Sequence, residues 1–554
     1  MGEAARDKVF DVVVVGAGFA GMYALHRFRE QGLAVQVLEA GSDVGGTWYW
    51  NRYPGARCDV PSLEYSFGFS AALEQEWDWP EVFSAQPDIL RYANHIADRF
   101  DLRRDISFET RISAVAWDDT AGIWRLRAED GRTFAGRWCV MATGCLSVPN
   151  KPDLPGADRF AGLELHTGLW PHEPVDLTGK RVGIIGTGSS GVQAIPELAK
   201  AAAHLTVFQR TPVYTVPANR KAMRAEIQDL FKRHYRDIRA LQQGNAGGVS
   251  NFRPSQGLPA SPVDMPAPPA GLRAGQDEIM ALSAEERWAR VEQRGLADLL
   301  SYRDVYTDPA ANEVANELYR EAVRRMVDDP RTAEQLLPRT YPLGCKRQVL
   351  DRDYYATFNR DNVTLVDLTE SPLTTITPGG IETGATHHDL DVLIYATGFD
   401  AMTGALLRAN ITGRDGRRLA DKWAHGPQTY LGLAMAGFPN LFTVTGPGSP
   451  SVLCNMLIAI EQHANWIGDT IDHLRAHDIG TIEATESAEL DWIAHVNDVA
   501  EGTMYTAPSC NSWYLGANIP GKPRIFMPYV GGYPRYKARC DAVAASGYEG
   551  FTLT

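Results

Sequence analysis

Two glycine triplets carry the clearest chemical signal in the chain. DVVVVGAGFAGMYALHRF places a β-branched run directly before Gly16-x-Gly18-x-x-Gly21 and a helical pattern directly after it. KRVGIIGTGSSGVQAI repeats the arrangement with Gly186, Gly188 and Gly191, and Thr187, Ser189 and Ser190 fill the loop. Glycines at this spacing allow a tight turn, close approach of a pyrophosphate to the backbone, and a helix N-terminus aimed at its charge. Glu39 follows Gly16 by 23 residues at the end of VQVLE and can accept hydrogen bonds from a ribose diol. The same 23-residue count from Gly186 reaches Gln209, followed by Arg210 and Thr211. A carboxylate there would repel a 2′-phosphate, whereas Arg and Thr can bind one. The pair is therefore expected to take FAD first and NADPH second.

These loops need sheets to hold them. CVMATG and LIYATGFD are apolar strands closed by the small turns Thr143-Gly144 and Thr397-Gly398. They fit a chain that leaves one nucleotide unit, enters a second and returns, giving nested domains. From about Asn219 to Arg339 the composition turns helical: Ser283 and Glu286 form a capping box, and Asp308-Pro309 opens a helix carrying Val314, Leu318, Ala322 and Val327. The proline-rich residues 253–272 read as a loop. The expected fold is α/β, with two Rossmann-like dinucleotide-binding domains and an inserted helical subdomain. Residues 1–150 and 391–554 would form the FAD-binding domain, 151–218 and 340–390 the NADP-binding domain, and 219–339 the insertion.

A chain of 554 residues that is 44% hydrophobic is long enough for two or three domains and for a buried cofactor. Its net charge of −14, without a Lys/Arg cluster, argues against a nucleic-acid partner. The seven cysteines are odd in number and lack CxxC spacing, so no disulfide framework, thiol redox pair or zinc site is expected. Phe10 to Val15 is too short to span a bilayer and reads as a buried strand. No signal peptide, lipidation box or membrane helix is visible, and a reducing cytoplasm is the expected home.

Between the two loops lies FAGLELHTGLWP, which sets His166 four residues before Trp170. It fits Phe-x-Gly-x3-His-x3-Trp-Pro, with Phe160, Gly162, His166, Trp170 and Pro171 all present. Here the chain resembles the flavin-dependent Baeyer–Villiger monooxygenases, and looks closest to the phenylacetone and steroid monooxygenases. GGTWYWNRYPGARCD, VFQRTP, CKR, ATGFD, GPGSPSVLCNM and NSWYLGANIPGKPR extend the resemblance over essentially the whole chain. The related N-oxygenating enzymes usually carry Tyr or Phe where this chain has Trp170.

The resemblance implies that NADPH reduces the flavin, O2 is captured as a C4a-peroxide, and attack on a hydrophobic ketone gives an ester or lactone through a tetrahedral adduct. Sulfoxidation would be a side activity. Arg347 matches the family's catalytic arginine, Asp59 the acid that pairs with it, and Lys346 the residue that holds the 2′-phosphate. Without the resemblance, Lys346-Arg347 would read as an ordinary surface pair. Gly46, Trp48, Asp59, Tyr65, Ile112 and Met456 would lie along FAD, Trp513 would close over NADP, and Ser451, Val452, Leu453 and Met456 would shape the ketone pocket. His166 and Trp170 would set the hinge between the domains without touching substrate. No metal is implied, and a monomer is expected. An N- or S-oxygenating flavin enzyme, a disulfide-reductase type and a non-catalytic nucleotide sensor are the competing readings.

Overall fold

The computed structural model describes residues 8–217, 222–250 and 277–554. The expected proline-rich loop at 253–272 falls outside these residues.

Val9–Val15 has the sequence of a strand buried on both faces, and it is one. Val12 and Val14 pack into one core while Val13 and Val15 pack into another across the sheet. It lies between Val35–Leu38 and Thr133–Met141, parallel to both. Ile106–Ser107 extends this sheet on one side; Leu441–Thr443, parallel to the far half of Thr133–Met141, extends it on the other. An antiparallel meander through Ile123–Ala128 and Ile112–Asp118, with the short strand Ile411–Thr412 parallel to the latter, completes the eight strands.

The second sheet is wholly parallel, in the order Val363–Asp367, His204–Gln209, Arg181–Ile185, Val392–Tyr395, Leu163–His166. Two of its members bear on the sequence reading. Val392–Tyr395 belongs here, so the return to the first sheet comes after Tyr395 and not at residue 391. Leu163–His166, inside the linking fingerprint, is the edge strand of this sheet.

Of the helical segment, Ala225–Gly244, Ala284–Arg294, Pro309–Arg324 and Pro330–Gln335 are helices. Ser283 and Glu286 make both bonds of the capping box. The third helix ends at Arg324, so Val327 packs from the turn beyond it, and the face it buries is led by Ala311, Ala315, Tyr319 and Val323.

The first of these helices docks through buried charge. The Arg239 guanidinium donates to Glu74 (2.8 Å), Gln242 (2.9 Å), the Ser66 hydroxyl (2.9 Å) and the Phe67 carbonyl (3.2 Å). Glu461, from the helix Met456–Ala476, accepts the Gly68 amide at 2.6 Å, and burial pushes its carboxyl up to about 7 despite the nearby Arg239. Removing one partner from such a cluster would strand a charge away from water.

Cys345 and Cys510, 165 residues apart, are joined by a disulfide with Cα atoms 6.1 Å apart. This corrects the expectation of an all-thiol chain. Cys58, Cys139, Cys145, Cys454 and Cys540 are buried and take no part in this bond. Among the described residues no helix is long and apolar enough to cross a membrane.

Candidate active site

The two glycine loops are built alike. Gly16 has φ +105°, and a Cβ there would lie 2.6 Å from the Ala142 carbonyl oxygen. Gly186 has φ +107°, and its Cβ would lie 2.5 Å from the Ala396 oxygen. Each ATG turn therefore backs one glycine loop, which is why the two motifs recur together. The third glycines face inward: a Cβ at Gly21 or Gly191 would meet the oxygen of Gly16 or Gly186 at 1.8 or 2.3 Å. Phe19–Glu30 and Ser189–Ala201 start from Gly18 and Gly188 without a side-chain cap, leaving their first amides open to an anion. These features fit a pyrophosphate at each loop.

The two loops differ in charge as expected. Glu39 is buried beside the first, accepting the Ala17 amide at 2.6 Å and the Gly41 amide at 2.7 Å. The second has no acid at that place: Gln209 is fully buried and donates to the Gln335 carbonyl. Arg210 is exposed at the strand end, and the Thr187 hydroxyl donates to the Thr211 carbonyl at 3.0 Å. Lys346 lies over the Tyr341 ring, 3.7 Å from its centroid. Burial and then the neighbouring Arg210 charge push its ammonium down to about 8. Two cations held together at the end of a nucleotide strand suit a phosphate.

Gly46 turns the GGTW segment back on the first loop, with its Cβ position 2.8 Å from Gly18 Cα. Trp48 follows, buried, and its indole N–H donates to the Tyr65 hydroxyl at 3.1 Å. The next stretch, RYPGARCD, runs along the second nucleotide helix: Tyr53 donates to Gln193 at 2.8 Å, and a Cβ at Gly55 would lie 2.2 Å from the Gln193 oxygen. That close approach carries Asp59 to the joint between the two nucleotide units.

There Asp59 meets Arg347. Nε and Nη2 donate to the two carboxylate oxygens at 2.7 Å each, the fork geometry that a lysine cannot reproduce. Nη1 donates to the Val452 carbonyl, and the guanidinium charge acts on the Tyr514 hydroxyl. Burial opposes the charge on Arg347, but Asp59 outweighs it and holds the group well above its ordinary value. Both side chains keep a quarter of their surface exposed, so the pair remains reachable from solvent.

The other expected site residues fall around this centre. Met456 opens the helix Met456–Ala476 and packs against both of the large cores. Leu453 and Met456 are half-buried and available to line a pocket. Ser451 is not: it is fully buried, and its hydroxyl donates to the Thr445 carbonyl at 3.1 Å, so it shapes the loop from behind. Trp513 is half-buried against Tyr514, ring centroids 4.4 Å apart. Ile112 lies away from Arg347, at the strand start that follows Thr110, whose amide donates to the Glu39 carbonyl at 2.7 Å.

His166 does not reach this centre. Its Nδ1 accepts the Gly168 amide at 2.9 Å, so Nε2 carries the proton and faces the Asn150 carbonyl and Thr397 hydroxyl, each at 3.4 Å. Asn150 and Gly398 are themselves bonded at 2.9 Å, and Asp400 to Val148 at 2.8 Å. The ring thus spans the two antiparallel connections between the sheets, and burial disfavours its charged form. Gly162 permits the approach, since a Cβ there would lie 2.5 Å from the Asp391 oxygen; Phe160 packs beside it, and Trp170 is buried before Pro171.

The sequence reading missed Tyr514 and the Val452 carbonyl. The first stood next to Trp513 in the same motif, whereas a backbone acceptor leaves no mark in sequence.

The chain matches the pyridine nucleotide-disulphide oxidoreductase family over residues 10–243. Acetone monooxygenase (methyl acetate-forming) from Gordonia sp. (strain TY-5) is 39% identical, over 98% of this chain and 99% of the relative. Phenazine N-monooxygenase PhzNO1 from Lysobacter antibioticus is also 39% identical, over 99% and 98%. Among solved structures, oxidized steroid monooxygenase bound to NADP is 46% identical with a TM-score of 0.90, covering 99% of both chains. Relatives this similar over their full length, together with the paired nucleotide loops and the Arg347–Asp59 centre, place the chain in a family: it belongs to the flavin-dependent Baeyer–Villiger monooxygenases.

Proposed function

We propose that the chain holds FAD at the Gly16 loop and NADPH at the Gly186 loop, and that it uses O2 to convert hydrophobic ketones into esters or lactones at Arg347. The Arg347–Asp59 fork carries this reading. Reduced flavin, when bound, supplies the electrons that activate O2 for insertion beside the carbonyl. The chain's own contribution is a fixed positive charge where negative charge develops on oxygen. Asp59 and the Val452 carbonyl fix the guanidinium plane, and the second hydrogens of its two terminal nitrogens are not used by these bonds. Leu453 and Met456, half-buried in the loop that supplies the Val452 carbonyl and at the helix start after it, would give a hydrophobic ketone apolar surroundings. The FAD unit is read as residues 1–150 together with the chain after Tyr395, and the NADP unit as the second sheet with its helical insertion.

Quantifying ester, H2O2 and NADPH together over a panel of aromatic, cyclic and steroid ketones tests the proposal. Ester formed in step with NADPH supports it; NADPH consumed with H2O2 as the only product from every ketone overturns it. A second reading, N-oxygenation, is favoured by the phenazine N-monooxygenase relative, and amines belong in the same panel. Trp170 favours the ketone. Sulfides are expected to be oxidised as a side reaction.

Two further results are expected here. A cation with a lowered pKa is charged below that value and neutral above it. Lys346 near 8 should therefore lose its hold on the 2′-phosphate as pH rises from 7 to 9. The KM for NADPH should climb about tenfold across that range in wild type and stay flat in Lys346→Arg, which cannot deprotonate. A flat wild-type profile would remove Lys346 from the site. His166→Ala should raise the H2O2 share of consumed NADPH several-fold and lower Tm by roughly 2–4 °C, because each connection loses a hydrogen bond worth about 1 kcal/mol. Unchanged coupling would leave His166 a packing residue only.

A further inference from the structure

The stretch from Glu501 to Gly532 carries the half-buried Trp513 and the buried Tyr514, yet it contains only two turns of 3-10 helix, Met504–Thr506 and Trp513–Leu515. Arg524 ties its first part together, donating to the carbonyls of Ala507 (2.9 Å) and Cys510 (3.0 Å), while the Thr503 and Thr506 hydroxyls donate to the Ala500 carbonyl. The Leu515–Ile525 and Tyr514–Met527 amide bonds hold its end. A single covalent link joins it to a distant part of the chain, from Cys510 to Cys345. Cys345 immediately precedes Lys346 and Arg347, and Cys510 lies three residues before Trp513. The bond is fully buried at both ends.

We propose that the Cys345–Cys510 bond is a reversible tether that positions the Trp513–Tyr514 stretch against the segment carrying Lys346 and Arg347. The tether acts through Tyr514, whose hydroxyl is under the influence of the Arg347 charge, and through Trp513, whose ring meets Tyr514 edge-on with centroids 4.4 Å apart. Cys345 and Cys510 are positioning residues and touch no reactant. With the bond closed, the loop is ordered before nucleotide binds, so binding does not carry that ordering cost. With it open, the first half of the stretch keeps only non-covalent restraints, among them the Arg524 bonds and the packing of Tyr505 against Tyr306 and Phe526.

Closure needs a two-electron oxidant, and hydrogen peroxide suits it. Each thiol gives up its proton and one electron, the S–S bond forms as the O–O bond breaks, and two waters leave. A dithiol reverses the bond by passing on two protons and becoming a disulfide itself; a phosphine reverses it with one water, which gives its oxygen to the phosphine oxide and its two protons to the thiols. A tether of this kind would couple the loop to peroxide released in turnover that misses its ketone.

The inference rests on the assignment of Arg347 and the NADP loop, so its test includes readouts that need no ketone. The holoenzyme is treated with hydrogen peroxide or with tris(2-carboxyethyl)phosphine, desalted, and alkylated under denaturing conditions for peptide mapping. NADP+ affinity is measured on the same samples by flavin absorbance changes, and H2O2 release during NADPH consumption is followed. The oxidised enzyme should show one crosslinked peptide pair, Cys345 with Cys510, and bind NADP+ roughly tenfold more tightly than the reduced enzyme. The reduced enzyme should release several-fold more H2O2. Cys345→Ser/Cys510→Ser should match the reduced enzyme and ignore both reagents, with Cys345→Ala/Cys510→Ala as the second variant should the serines prevent folding. Alkylation of both cysteines in the peroxide-treated enzyme would overturn the proposal, as would equal NADP+ affinity in the two redox states. Absence of ester in every redox state would count against the ketone reading and leave the tether to be judged on NADP+ affinity.

Discussion

Arg347→Ala is expected to stay yellow, accept electrons from NADPH, and form ester at least ~10^2 to 10^3-fold more slowly than the parent. The substitution removes both donors to Asp59 and the donor to Val452, so the site loses the positive charge that Asp59 and Val452 hold in place. Flavin binding should survive, because the first glycine loop and Glu39 are built by other elements. NADPH should then be consumed with H2O2 as the product. Arg347→Lys keeps a charge but not a planar fork, and should recover only a minor part of the rate. Ester yield and H2O2, measured on the same sample, decide the matter: normal ester formation by the alanine variant would end the assignment.

Gly21→Ala and Gly188→Ala should fail in opposite ways, although both replace a glycine of the same motif. At Gly21 a methyl group would sit 1.8 Å from the Gly16 oxygen, so the strand, loop and helix cannot keep their spacing. FAD affinity should fall by roughly 10^2-fold, and the protein should purify colourless. At Gly188 the backbone is extended, with φ −74°, and a Cβ meets no atom within 4 Å. That variant should fold, stay yellow, and raise the KM for NADPH about tenfold, since the methyl group fills space over the helix N-terminus. Flavin absorbance and NADPH kinetics on the two proteins separate the outcomes; a yellow Gly21→Ala would show that the first loop is not the flavin site.

These glycines could be read from sequence because only a residue without a side chain fits them. The difference between Glu39 and Gln209-Arg210 was legible for a related reason: the sign of one residue sets which ribose a strand end can accept. Lys346-Arg347 was not legible from residue type, since a basic pair suits any surface, and it took the family resemblance to single it out. The contact from Arg347 to Val452 goes to a carbonyl, which every residue carries. Ser451 was expected to help shape the ketone pocket; that its hydroxyl does so by bonding the Thr445 carbonyl could not be read from its type. The disulfide was hidden by an odd cysteine count and a separation of 165 residues, which is a matter of topology and not of local pattern. The strand Val392–Tyr395 was assigned to the first sheet, and the return set one element too early, for the same reason: an apolar run does not announce which sheet it joins.

The docking of Ala225–Gly244 through Arg239 bears on how relatives can be recombined. The helix belongs to the inserted segment, but the groups that satisfy its arginine lie at Ser66, Phe67, Glu74 and, next to them, Glu461. The insertion is thus not an exchangeable cassette. A chimera that imports it from a relative must import its acid partners from two other stretches of chain, or it will bury a cation with nothing to face.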